Sequence, residues 1–148
     1  MQNLIDKLKQ DNSFFYSDIH GEQHYLNVMN AGLRLADNYD LNPMLFKYFA
    51  YLHDSCRHNE DYDPNHGPRA AAYISKIKKY IDLTPDELID LQSACFYHTS
   101  AKPWDGQSYS LFEQCCFDAD RSDIDRVNLI VDPAYLFTDF GVDHFAVQ

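Results

Sequence analysis

Apolar residues recur along this chain at three- and four-residue spacing, the pattern of helices that bury one face. Leu26, Met29, Leu33 and Ala36 form one stripe, Phe46, Phe49, Ala50 and His53 a second, and Leu88, Leu91, Cys95 and His98 a third. The spacing predicts helices near 21–39, 43–57, 65–81, 85–98 and 109–130, with a short one at 3–10. Asn42-Pro43, Asp63-Pro64 and Thr84-Pro85 each set a capping residue before a proline suited to the first helical position. Thr84 with Glu87 reads as a capping box. No run alternates long enough to make more than a short hairpin. After Pro133 the tail AYLFTDFGVDHFAVQ is apolar but irregular, and is expected to pack back on the body. The fold class expected is all-α.

A chain of 148 residues is most simply one domain, and 45% hydrophobic with 15% aromatic residues is ample for a core. No stretch approaches about twenty apolar residues, so no membrane span is expected. The start, MQNLIDKLKQDN, lacks the apolar core of a signal peptide. Cys56, Cys95, Cys115 and Cys116 follow neither a C-x-x-C pattern nor a disulfide framework, which reads as reduced packing residues in a cytoplasmic protein. The net charge of −11 opposes binding to long nucleic acids, whose affinity rests on Lys and Arg neutralising phosphates. A small phosphorylated ligand stays open, because a metal and one or two basic groups offset the field locally.

Two apolar stripes end in histidine, at His53 and His98, and Asp54 follows His53. A lone histidine on such a face usually fills core space. An aspartate beside it is costly to bury unless paired or bound to metal. Other polar clusters are His20 with His24; Asp61, Asp63 and His66; and Asp118, Asp120 and Asp123. Imidazole with carboxylate suits first-row divalent ions such as Fe, Mn, Co or Zn. Three nearby motifs fail. His20-Gly-Glu-Gln-His24 has its glutamate at Glu22, displaced from the zinc-protease position. The stretches from Asp118 and from Asp61 begin like calcium loops, but lack the turn glycine and carry Leu129 and Ala72 at the twelfth position. There is also no P-loop, dinucleotide fingerprint or serine elbow.

The order histidine, His-Asp, distant aspartate resembles the HD-domain metal-dependent phosphohydrolase superfamily. Here it is His24 in HGEQHYLNV, His53-Asp54 in YLHDSCRHNE and Asp120 in DADRSDIDRV. The pieces HDSCRHNEDYDPNHGPRAA, ACFYHT and DPAYLFTD extend the likeness over about residues 18 to 139. The resemblance implies a compact helical bundle of about five to seven helices. It also implies that His24, His53, Asp54 and Asp120 hold a divalent ion (Fe, Mn, Co, Zn, Ni or Mg), with Asp54 bridging to a second. Asp118 is the alternative to Asp120. His66 and His98 resemble the extra histidines of two-metal HD proteins. The sequence departs from the pattern at Asn27, where many members have arginine, at Glu60 in place of aspartate, and at Ser122 in place of leucine. These positions bear on substrate contacts.

Arg57, one turn beyond Asp54, is a candidate to meet a phosphate oxygen, with a surface salt bridge as the plain alternative. Arg69 and Lys102 are weaker candidates of the same kind. His20 reads as a ligand orienter, a group acting on the leaving group, or a helix cap. Asp123 reads as an outer partner of a ligand or of an arginine. Trp104 suggests base stacking or simple packing, and His58 and His144 have no supporting pattern. The expected activity is hydrolysis of a small phosphate ester, phosphoanhydride or nucleotide through metal-activated water, with Asp54, Arg57 and His20 taking part. The alternatives are a di-iron oxygenase, since myo-inositol oxygenase resembles HD domains with the same ligand order, and a non-catalytic module binding a nucleotide or partner.

Overall fold

In the computed structural model, residues 1–146 are described; Val147 and Gln148, the end of the apolar tail, lie outside them. Seven α-helices occur among the described residues, with no strand: α1 Gln2–Asp11, α2 Glu22–Tyr39, α3 Pro43–Leu52, α4 His66–Lys76, α5 Pro85–Tyr97, α6 Leu111–Arg121 and α7 Asp139–His144. None of them is long and apolar enough to cross a membrane. The all-α expectation stands.

Local chemistry explains most helix starts. Asn42 accepts from the Met44 amide ahead of Pro43, and Thr84 with Glu87 forms the capping box that their spacing predicts. A second capping box, Ser110 with Glu113, opens α6. Its S-x-x-E signal stands in the sequence, and the expected start at 109 passed over it. Asp63-Pro64 does not open α4. Asn65 is the cap residue, and the Asp63 carboxylate instead accepts from the His58 amide and from Arg69.

Three helices end earlier than periodicity predicts, because side chains and tighter turns take their last carbonyls. α3 stops at Leu52 rather than 57: the His53 ring donates to the Phe49 and Ala50 carbonyls, and the Ser55 hydroxyl donates to Leu52. α4 stops at Lys76 rather than 81, where the Ile77 amide splits between Tyr73 and Ile74 and a 3₁₀ turn follows at Lys78–Tyr80. α6 stops at Arg121 rather than 130. The Ser122 hydroxyl takes the Ala119 carbonyl, a 3₁₀ turn covers Ile124–Val127, and Asn128 turns left-handed at φ 62°. The tail is more regular than expected, since Thr138 caps α7.

α2 packs on α3 and α6, α4 on α5, and α5 on α3 and α6. The buried face of α2 is rotated from the predicted stripe: Tyr25, Val28, Gly32 and Leu35 lie inside, whereas Leu26, Met29 and Leu33 are only half-buried. Tyr25, which lies outside the predicted stripe, takes an inward position, and of that stripe Ala36 alone is fully buried. All four cysteines are free, and Cys95, Cys115 and Cys116 are buried.

Asp118 ties the tail down. Its carboxylate accepts from the Phe137 and Thr138 amides and from the Thr138 hydroxyl. At the α4–α5 contact, a Cβ on Gly67 would stand 2.7 Å from the carbonyl oxygens of both Cys95 and Phe96. Backbone cannot yield as a side chain does, so only glycine lets the start of α4 reach the end of α5. Gly67→Ala is expected to cost about 1–3 kcal/mol, measured by urea unfolding. Unchanged stability would mean that the two helices part freely.

Candidate metal centre

Five helix ends converge. His24 lies in the first turn of α2, His53 and Asp54 follow the last residue of α3, and His66 begins α4. His98 follows α5, and Asp120 stands one residue before the end of α6. The four histidines and Asp54 are each at most 2% exposed.

Asp54 divides its two oxygens between two pairs of imidazoles. Oδ2 lies 3.3 Å from His24 Nε2 and 3.4 Å from His53 Nε2. Oδ1 lies 3.1 Å from His66 Nε2 and 3.4 Å from His98 Nε2. Asp120 Oδ1 completes the first group, 3.1 Å from His24 Nε2 and 3.3 Å from His53 Nε2. Two sets of convergent donors result, His24–His53–Asp54–Asp120 and Asp54–His66–His98, joined through one carboxylate.

The outer nitrogens assign the rings. Nδ1 of His53 faces the Phe49 and Ala50 carbonyls, that of His66 the Asp63 carbonyl at 2.5 Å, and that of His98 the Cys95 carbonyl at 2.6 Å. His24 Nδ1 meets the Asp123 carboxylate at 2.8 Å, and Asn27 donates to the other oxygen of Asp123 at 2.9 Å. Each Nδ1 therefore carries the proton, and each Nε2 turns inward. His24 and His53 then stand 3.1 Å apart through Nε2, and His66 and His98 2.9 Å apart. Two ring nitrogens without protons repel at such distances unless positive charge lies between them.

Without a metal, a second proton on Nε2 of His24 supplies part of that positive charge. Burial opposes a charged His24, yet Asp120, Asp123 and Asp54 outweigh it and push the ring up to about 10. Burial also opposes ionised Asp54 and Asp120, but the surrounding histidines hold both well below the usual carboxylate range. The centre favours a cation. Donors about 2.0–2.2 Å from one divalent ion stand roughly 3.0–3.5 Å from each other, the spacing seen here. Nitrogen and carboxylate donors together suit first-row metals. The cluster can hold a metal ion.

The remaining candidates separate cleanly. Arg57 Nε lies 3.4 Å from Asp54 Oδ1 and its terminal nitrogen 3.5 Å from His66 Nε2, so it belongs to the centre. His20 is buried nearby, its Nδ1 4.0 Å from Glu60 Oε1, and neither of those atoms has a hydrogen-bond partner. Burial pushes His20 down to about 4, so it is neutral. It does not cap α2, because Gly21 holds that position. Arg69 is occupied elsewhere, on Asp63 and the Cys56 carbonyl. Lys102 donates to the Thr99 carbonyl at 2.8 Å. Trp104 is exposed and packs edge-on against Tyr135, and His144 lies against Phe140. His58 is exposed. Thr99, which no sequence signal singled out, places its hydroxyl 3.1 Å from His66 Nε2.

No protein-family model matches the chain, and no curated protein matches it significantly. A solved structure does: the crystal structure of a predicted HD superfamily hydrolase from an uncultured Thermotogales bacterium. It superposes with a TM-score of 0.73 at 18% identity, over 97% of this chain and 81% of the other. The chain has the HD fold. Within that HD bundle, the ligand-bearing helix ends meet at one buried point, and the choice between Asp118 and Asp120 becomes geometric. Asp120 faces His24 and His53, whereas Asp118 faces the tail.

Asp120→Asn is therefore expected to lose bound metal, and with it the stability that the metal and the His24 and His53 contacts supply. Asp118→Asn is expected to keep its metal and lose about 1–3 kcal/mol. Elemental analysis with urea unfolding reads both, and the reverse pattern would overturn the assignment.

Proposed function

We propose that the protein is a metal-dependent phosphohydrolase acting on a small phosphate ester, phosphoanhydride or nucleotide. The observation that carries this reading is Asp54, one buried carboxylate whose two oxygens each face a histidine pair. In this reading His24, His53, Asp54 and Asp120 hold one divalent ion, and Asp54, His66 and His98 hold a second. When bound, such ions supply Lewis acidity toward water and toward phosphoryl oxygens.

The chain's own groups supply position and charge. Arg57 sets a guanidinium at the edge of the second donor set, where it suits a phosphoryl oxygen. Asp123 holds His24 in place and Asn27 holds Asp123. Neutral His20, within electrostatic reach of Asp54 and Arg57, would serve through its one N–H or its ring lone pair as a hydrogen-bond partner to the leaving group. The net charge of −11 favours a small ligand over a polynucleotide. A carboxylate shared between two histidine pairs also suits an HD-type di-iron oxygenase, and that is the second reading.

Chelated protein is expected to release no phosphate from a panel of phosphorylated metabolites, and Mn²⁺ is expected to restore release. Asp54→Asn should lower it at least about 100-fold. Phosphate release that survives complete metal removal would sink the proposal. Oxygen uptake with ferrous ion and no phosphate release would select the oxygenase, and neither activity would leave a binding module.

His66→Ala and His98→Ala are each expected to halve the metal content of fully loaded protein, with helical circular dichroism unchanged. A single calorimetric binding event in the parent, identical in both variants, would make these two histidines structural.

A further inference from the structure

Beside the second donor set lies a cavity of about 400 Å³ that none of the roles above uses. Its wall is mostly apolar, from Ile124, Leu129, Ile130, Val131 and Tyr135, with Asp132 as its one acidic lining residue. Leu129 is 57% exposed and Ile130 73%, an adjacent pair of large aliphatic side chains left facing water. The backbone holds them there. Asn128 turns left-handed just before them, and just after them Asp132 accepts from the Ala134 amide to cap a 3₁₀ turn at Pro133–Tyr135.

Two residues join this groove to the metal centre. Thr99 lines it, and its hydroxyl lies 3.1 Å from His66 Nε2. Arg121 lines it too, and directly follows Asp120 in the chain. Lys102 stands beside them. Arg121 donates to the Tyr135, His98 and Ala101 carbonyls, and Lys102 donates to the Thr99 carbonyl. Neither cation lies within ion-pair distance of a carboxylate among the described residues, although Asp118 and Asp120 act on Arg121 through space and Asp105 on Lys102, so two cations are held at the inner end of the groove. Tyr135, paired edge-on with Trp104 at 5.0 Å, adds an aromatic surface to the aliphatic wall.

We propose that this groove binds the non-phosphate part of the substrate, and that this part is an aromatic ring system. The inference rests on the phosphohydrolase reading for its phosphate end. Positive charge at the junction suits the anionic end of such a molecule, and the cavity is larger than phosphate alone requires. A flat apolar ring would cover the exposed Leu129–Ile130 pair and contact Tyr135. A nucleobase and a simple aryl group share this chemistry.

Calorimetry on Mn²⁺-loaded protein compares 1-naphthylmethylphosphonate with methylphosphonate, neither of which needs turnover. The aryl compound is expected to bind about tenfold tighter. The Leu129→Ser/Ile130→Ser double variant, altered only at exposed positions, should lose that advantage. Ile89→Ser, an equally exposed apolar position on α5 outside the groove, should keep it. Equal binding of the two phosphonates, or an advantage that persists in the double variant, overturns the proposal. Groove-dependent binding with no phosphate released from 1-naphthyl phosphate or from any member of the metabolite panel supports the groove and refutes the hydrolase. Equal kcat/KM for 1-naphthyl phosphate and glycerol phosphate, unmoved by the double variant, does the reverse. Tighter groove-dependent binding of adenosine monophosphate than of the naphthyl compound assigns the ring to a nucleobase, and the opposite order assigns it to a simple aryl group.

Discussion

Burying an ionised carboxylate without compensation is among the costliest things a protein interior can do. Asp54 is 2% exposed and held ionised, and what makes that tenable is the Arg57 guanidinium together with positive charge, a proton or a metal ion, between its oxygens and the inward Nε2 atoms. Each oxygen faces a histidine pair, so each pair shares with Asp54 whatever positive charge stands between them. The architecture follows from this demand. Helix ends place polar side chains at one point, where helix middles would deliver apolar ones.

The same demand runs outward through the rings. Three histidines hand their outer N–H to backbone carbonyls near the ends of helices or in the turn before one, so those rings depend on where the backbone stops being helical. His24 sits at a helix start, where no such carbonyl is at hand, and its outer partner is Asp123 from beyond the end of α6. Asn27 then fixes Asp123. A neutral residue at position 27 completes this chain of contacts without adding charge. Gly67 serves the geometry in another way, since its missing Cβ lets His66 approach His98 to 2.9 Å.

Around this centre the charge is divided. Acidic groups dominate the chain, yet Arg57, Lys102 and Arg121 stand near the histidines, and Asp118 is turned away to hold the tail. Two aspartates two residues apart on one helix thus do unrelated work. Successive positions on a helix lie about 100° apart, so residues two apart face nearly opposite sides.

Much of this was legible in the sequence. Periodicity marks α2 to α6, with α1 as a short helix before them, Asn42 and Thr84 mark two of their starts, and the resemblance carried by His24, His53-Asp54 and Asp120 points to the centre, with His66 and His98 beside it. These features are local or depend on order alone, and both survive in a one-dimensional reading. Where α3, α4 and α6 stop was not legible. α3 and α6 end where the His53 ring, Ser55 and Ser122 take carbonyls, a competition that average propensities do not resolve. The rotation of α2's buried face, the turning of Asp118 toward Thr138, and the meeting of His24 with Asp123 across 99 positions depend on how helices pack. So does the contact of Thr99 with His66. Residue types and their order decided which donors are available, and only packing decided which atoms stand about 3 Å apart, because that distance is set by helices far apart in the chain.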